Sequence, residues 1–366
     1  MCGEILNRCT PPLRGTLPNI GPTGLAHTLR WTASPAASAP PVRYRYAFDG
    51  DTMGTTYHVR LALASLDDTA LLDAARATVD AAVQGVDQRM STYRADSELS
   101  QLNRYAGGRP LALSADTISV LQMARSVSLA TDGAFDVTAG SFVNLWGFGP
   151  EKAQRVVTPY ELAMLKSAVG TGALEIDPRT RTATKADPRV YADLSAIAKG
   201  FGVDQAAIAL DALGISDYMV EVGGEVRAKG RRHDGRAWQI GIEEPQRTLP
   251  RRARFIVPLR DLAMATSGDY RICFEQDGQH YSHEIDPRTG RPIANGLTSV
   301  TVVASQCAIA DAYATALIVL GPERGLEAAE QLGLAAYFIL RDVDGRHRDR
   351  MTTAFAALGG RPVTST

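Results

Sequence analysis

Leu213-Gly214-Ile215-Ser216-Asp217-Tyr218-Met219-Val220-Glu221-Val222 is where a helical pattern stops and a strand begins, with no further helix for some eighty residues. The apolar spacing before it, from Asp193 through Ala207 to Leu213, is that of a helix closed by Gly214. After it, Tyr218–Val222, Trp238–Ile242, Phe255–Leu259, Ile272–Glu275 and Ser299–Ala304 all read as strands, and Asp277-Gly278 is a hairpin turn signal. Ala308 to Leu320 is apolar enough to be a buried helix. Gly321-Pro322 restarts another that ends near Gly333, and Tyr337–Arg341 reads as a final strand. Strands and helices do not alternate strictly, so the class is α+β rather than a doubly wound parallel sheet.

Working back from the same point, Tyr44–Leu63 reads as strand, turn, strand, broken at Gly50-Asp51 and Met53-Gly54. Leu71, Leu72, Ala75, Val79, Val83, Val86 and Met90 recur at helical spacing, and a second helix follows Ser114. Thr158, Pro159 and Glu161 spell an N-cap, a first-turn proline and a capping box. The expected organisation is a leader over residues 1–43, one domain over 44–350 and a C-terminal tail over 351–366. The leader is rich in Pro, Gly, Ser and Thr. It has no clear apolar core of a signal peptide and no lipobox before Cys9, so it reads as a disordered leader or a start codon assigned too far upstream.

The chain has 366 residues, 45% hydrophobic and 22% charged, with a formal net charge of -1, which argues against a nucleic-acid binder. Arg251-Arg252-Ala253-Arg254 is a short basic patch that reads as a solvated strand entrance. No apolar run approaches the roughly 20 residues needed to span a bilayer. The four cysteines form no CxxC pair, and Cys273 and Cys307 sit in apolar runs as small core residues.

Several constellations could carry chemistry. Asp311 and Thr315, four apart on an apolar helix, share one face, and an Asp there needs a partner such as Mg²⁺ or a buried cation. In Ser282-His283-Glu284-Ile285-Asp286-Pro287-Arg288-Thr289-Gly290-Arg291-Pro292 a histidine stands beside a turn of surface composition. Tyr191–Gly200 delivers Asp193 into a helix start, with Ser195 placed to cap it and Lys199 one turn on, where anions bind. Thr131–Thr138 and Val143–Pro150 set glycines beside aromatics, either to admit a flat ligand or to pack upon themselves. Gly223-Gly224-Glu225 follows a strand, but neither a GxGxxG nor a GxxxxGK[ST] motif is present, so Rossmann and P-loop nucleotide binding lose their usual support. His280 and His283 would point to opposite faces of a strand, which disfavours zinc.

Taken in order, Thr52–Thr55, Met90–Arg94, Asp132–Asp136, Asn144–Pro150, Asp193–Gly200, Val222–Gly224, Thr266–Gly268, the His283 run and Ala310–Thr315 resemble the FAD:protein FMN transferases, the ApbE-type flavin transferases. The resemblance runs from about Gly50 to Gly345. It implies an α+β, T-fold-like scaffold of mixed sheets packed by helices, and transfer of FMN from FAD to a threonine or serine hydroxyl of an acceptor flavoprotein, with release of AMP. Position by position, it implies that Asp311 and Thr315 are side-chain ligands of Mg²⁺ and that the Ala196 carbonyl completes the metal site. His283 becomes the base facing the acceptor hydroxyl. Met53, Tyr93, Ala134, Phe135, Asp136, Asp193, Lys199 and Ile285 become residues of the FAD site. Ala314 departs from relatives that carry an additional acidic ligand there. The resemblance also implies an acceptor subunit of a membrane redox complex and a place on the periplasmic side of a bacterial inner membrane, with the cytoplasm as the alternative given the missing signal. Two other readings use the same residues: an FAD pyrophosphatase in which water is the acceptor, and a non-catalytic FAD-binding protein, against which His283 and the metal ligands argue.

Overall fold

A computed structural model describes residues 43–363 apart from 66, 151–153, 247–251, 270–271, 277 and 343. The expected leader therefore lies outside the described residues save for Arg43, as do Cys2, Cys9, Arg251 and the Asp277 of the hairpin signal.

The organising element is an eight-stranded sheet. Across it run Tyr44–Thr52, Thr55–Leu63, Tyr218–Val222, Glu225–Lys229, Leu262–Gly268, Leu297–Ala304, Ala335–Arg341 and His347–Met351. Every neighbouring pair is antiparallel. The α+β class and the helix-packed sheets hold. Tight turns at Met53-Gly54 and Gly223-Gly224 join two of the pairs directly.

Alternation along each strand sorts the side chains into two layers. On one face Tyr57, Val59, Leu61, Val220 and Val222 meet Leu72, Ala75, Val79 and Val83 of the Thr69–Met90 helix and Val203, Ala206 and Leu210 of the Ser195–Ala212 helix. On the same face Val300, Val302 and Phe338 meet Leu317 and Ile318 of the Cys307–Leu320 helix. On the other face Met219, Val226, Met264, Tyr337 and Ile339 pack against Trp238, Ile240, Phe255 and Val257. These belong to a small sheet of Trp238–Glu243, Ala253–Leu259 and Arg361–Pro362. Each large apolar side chain buried this way contributes about 1.5–3 kcal/mol.

Three sequence expectations change. The Gly50-Asp51 break does not occur, since the first strand runs unbroken through it to Thr52. Tyr337–Arg341 is not the last strand, because His347–Met351 pairs beside it. Residues 351–363 do not trail away as a tail: Thr352 caps a short helix, Phe355 is 1% exposed, and Arg361–Pro362 adds an edge strand to the small sheet. The Thr158 capping box forms with both hydrogen bonds, and Arg254 of the basic patch is ion-paired to Asp349 and Glu244 at the strand entrance. Cys307 is core, whereas Cys273 is half-buried on a hairpin.

Candidate active site

The site forms where the Ser195–Ala212 and Cys307–Leu320 helices cross. Gly200 sets that crossing: a Cβ there would lie 2.5 Å from the Cys307 carbonyl oxygen and 2.8 Å from Ala308 Cα. The close approach lets the Gly200 N–H donate to Asp311 Oδ2 at 3.0 Å. A regular helix reserves the N–H of residue 200 for the carbonyl of residue 196. Asp311 therefore competes with the Ala196 carbonyl for this N–H.

Asp311 and Thr315 share a helix face, as their spacing requires. Asp311 is 2% exposed. Thr315 Oγ1 lies 2.8 Å from Ser267 Oγ of the central sheet. Lys199 reaches back to the helix start, where its Nζ donates to the Ser195 carbonyl at 3.4 Å, and it also meets two carboxylates. Its ammonium lies 3.1 Å from Glu225 Oε1 and 3.8 Å from Asp311 Oδ1. Glu225 was read in the sequence only as part of a turn that fails a nucleotide motif. The turn matters for another reason: Gly223, at φ 61°, comes so close that its Cβ would lie 3.3 Å from Lys199 Cδ, and so it presents Glu225 to that lysine.

Two buried carboxylates thus share one ammonium, and Glu225 Oε2 is buried without a hydrogen-bond partner. Burial raises the pKa of Asp311 above the usual carboxylate range against the pull of Lys199, and pushes Glu225 up to about 7. Burial opposes the charge on Lys199, but Asp311 and Glu225 outweigh it and hold its pKa above the ordinary value. The surplus of negative charge is what a divalent cation would neutralise, and carboxylate, hydroxyl and carbonyl oxygens are the donors a hard cation takes. Among the described residues no group of three or more His, Cys, Asp or Glu could hold a metal, so a cation here would rely on this mixed oxygen set. Ala314 is buried in the apolar cluster with Leu317 and Ile318.

His283 occupies the adjoining wall. It lies between the short strands Gln279–Ser282 and Ile285–Asp286 rather than on one strand with Ile285. Its Nδ1 is 3.0 Å from the Ile272 carbonyl oxygen, which its own main-chain N–H also reaches at 3.1 Å. A carbonyl can only accept, so Nδ1 carries the proton and Nε2 keeps its lone pair. Burial, assisted by the charge on Lys199, lowers the His283 pKa to about 4. Burial raises Glu284, whose Oε1 is 3.7 Å from His283 Nε2, to about 8. The charge of Lys199 acts on His283, and those of Lys199 and Asp311 act on Glu284, so the two groups of residues lie within electrostatic reach of each other. The side chain of His280 lies outside the described residues.

The remaining candidates divide into surface and support. Ser195 does not cap the helix, whose N-cap is Leu194 without a side-chain cap; Asp193 Oδ1 accepts from the Ser195 N–H at 2.9 Å in an Asx turn that leads into it. Tyr93 is 65% exposed, and burial of its hydroxyl and the nearby Asp193 raise its pKa. Met53, at φ 48° in the hairpin turn, packs on Gly202 of the same helix. Ala134 and Phe135 are in the core, at 1% and 3% exposure, so any ligand contact they make runs through backbone. Asp136 Oδ1 accepts from Thr138 Oγ1 at 2.6 Å and from the Thr138 N–H at 2.9 Å. Ile285 is buried in a cluster with Phe142 and Trp146. The following turn is not a free surface turn, since Gly290 is buried and its carbonyl accepts from Trp146 Nε1 at 2.8 Å. The Asn144–Pro150 aromatics pack upon themselves and the hairpin: Phe148 lies 5.5 Å from Phe274 and 6.5 Å from His283, ring to ring.

Residues 53–338 match the model of the ApbE family. The chain is 46% identical over 306 residues to an FAD:protein FMN transferase of Haemophilus influenzae, covering 82% of this chain and 87% of that protein. It is 45% identical over 297 residues to the one from Vibrio cholerae, covering 81% and 87%. The solved flavin transferase ApbE from Vibrio cholerae superposes with a TM-score of 0.77 at 42% identity, over 86% of this chain and 99% of that one. The apo flavinyl transferase ApbE of Pseudomonas stutzeri gives 0.78 at 38% identity, over 86% and 97%. The chain belongs to the ApbE family.

Proposed function

We propose that the protein transfers FMN from FAD to a threonine or serine hydroxyl of an acceptor flavoprotein and releases AMP. The observation that carries this reading is a neutral histidine with a free Nε2 beside a buried, cation-deficient cluster of oxygens. The relatives' common activity supports it.

Asp311, the Thr315 hydroxyl and the Ala196 carbonyl would hold Mg²⁺, which when bound supplies Lewis-acid neutralisation of the pyrophosphate charge. His283 Nε2 takes the proton of the acceptor hydroxyl as its oxygen bonds to the FMN phosphorus. The phosphoanhydride bond to the AMP half breaks, and AMP leaves with the bonding pair. Lys199, anchored by Glu225, places a fixed positive charge beside the phosphates. Met53, Tyr93 and Asp193 line the FAD side by this reading, with backbone near Ala134, Phe135 and Asp136, while Ile285 supports the flavin wall. Such chemistry depends mainly on positioning and charge neutralisation.

The acceptor by this reading is a subunit of a membrane redox complex, met on the periplasmic side of a bacterial inner membrane. No helix among the described residues is long and apolar enough to cross a membrane. The test is incubation of the purified chain with FAD, Mg²⁺ and an acceptor domain, followed by in-gel flavin fluorescence. Covalent label that needs His283 is expected. No label on a competent acceptor refutes the transfer, and AMP released at full rate without acceptor assigns water as the acceptor instead.

A further inference from the structure

The sheet face turned away from the helices holds a cavity of about 120 Å³, lined by Arg45, Arg60, Met219, Arg232, His233 and Trp238. It lies on the opposite side of the sheet from Asp311 and Lys199. Arg45 faces Ala62 and Arg60 faces Ala47 across one ladder, so both guanidinium groups leave the sheet on the same side. Met219, opposite Arg60 on the next strand, and Trp238, 6% exposed, form an apolar floor. Trp238 is held by its own Nε1–H, which donates to the Lys229 carbonyl at 3.0 Å.

The charges here do not cancel. Arg232 pairs with Asp234 at 2.9 Å, but Arg45 and Arg60 form no ion pair among the described residues. Of the carboxylates on this side, Asp217 is paired with Arg43, Glu221 accepts from the Gly224 N–H and lies 3.9 Å from His58 Nε2, and Asp49 shares the face diagonally from Arg60. The whole chain has a formal net charge of -1, so this surplus is local.

We infer that this cavity is a second binding site, for a phosphate group, distinct from the flavin site. Guanidinium forks match phosphate oxygens two at a time, and the aromatic floor gives them a face to stack on. The phosphate can belong to a soluble phosphate ester or to the headgroup of an anionic phospholipid.

Two arms separate the sources. The full chain is titrated calorimetrically with inorganic phosphate, and is floated with phosphatidylcholine vesicles with and without about 30% phosphatidylglycerol. The pairs Arg45→Glu/Arg60→Glu and Arg45→Gln/Arg60→Gln are treated alike, with FAD turnover as the check that each variant is folded. Binding by the wild type is expected, falling about tenfold or more in the Glu pair and less in the Gln pair, with turnover unchanged. Binding of phosphate assigns a soluble ester, and binding confined to the anionic vesicles assigns a headgroup. No binding in either arm, equal binding to neutral vesicles, or binding undiminished in both variants overturns the site.

Discussion

Replacing Gly200 by alanine tests whether the helix crossing builds the oxygen cluster. A Cβ would sit 2.5 Å from the Cys307 carbonyl oxygen, where ordinary contact begins at 3.4 Å, so the helices must part by 3.4 − 2.5 = 0.9 Å. The obstructing atoms are backbone and cannot rotate aside. An opening of that size along the Gly200–Asp311 hydrogen bond, now 3.0 Å, takes it beyond bonding distance. Overpacking costs about 1–3 kcal/mol, and losing a hydrogen bond to a charged group about 1.5–3 kcal/mol. The better helix propensity of alanine returns about 1 kcal/mol. The net expectation is a loss of about 1.5–5 kcal/mol. Urea unfolding should show this as a lower midpoint with unchanged slope. The Mg²⁺ concentration for half-maximal FAD turnover should rise at the same time, because Asp311 and the Ala196 carbonyl move apart with the helices. A variant as stable as the wild type, with an unaltered metal requirement, would refute the account of the crossing.

His283→Ala should lower the transfer rate by about 10²–10⁴ while leaving FAD affinity nearly unchanged; an equal loss of FAD binding would mean that the side chain holds the substrate instead. With its pKa lowered to about 4, His283 stays neutral as pH falls through 6.5 and loses its basic form only near 4. The acid limb of kcat/KM should therefore lie closer to 4 than to 6.5, and a limb at 6.5 would show a solvated imidazole. Glu225→Gln removes one of the two carboxylates sharing Lys199 and leaves a neutral Asp311–Lys199 pair, so calorimetric Mg²⁺ affinity should drop about tenfold. Undiminished affinity would place Glu225 outside the metal's electrostatic field.

What the sequence by itself determined were features decided within a few residues. The four-residue step from Asp311 to Thr315 fixes a shared helix face whatever surrounds it. Thr158 and Glu161 close their capping box from local geometry alone, and Gly54 marks the turn in which it and Met53 both take positive φ. Leu262–Gly268 escaped that reading because its small residues show no strand pattern, although most of the strand is buried by the layers on either side. Glu225 escaped it because its meaning depends on Lys199, a partner brought in by a different helix. The same holds for His283. Its place in the chain marked it as reactive, but only the Ile272 carbonyl, eleven residues earlier and folded back upon it, decides which nitrogen is free. Hydrogen bonds, desolvation and close contacts between distant segments exist only once the sheet and helices have packed. Tertiary structure therefore decided the protonation states, the antiparallel order of the strands and the basic cavity on the far face, and the local code of the chain decided the elements that were brought together.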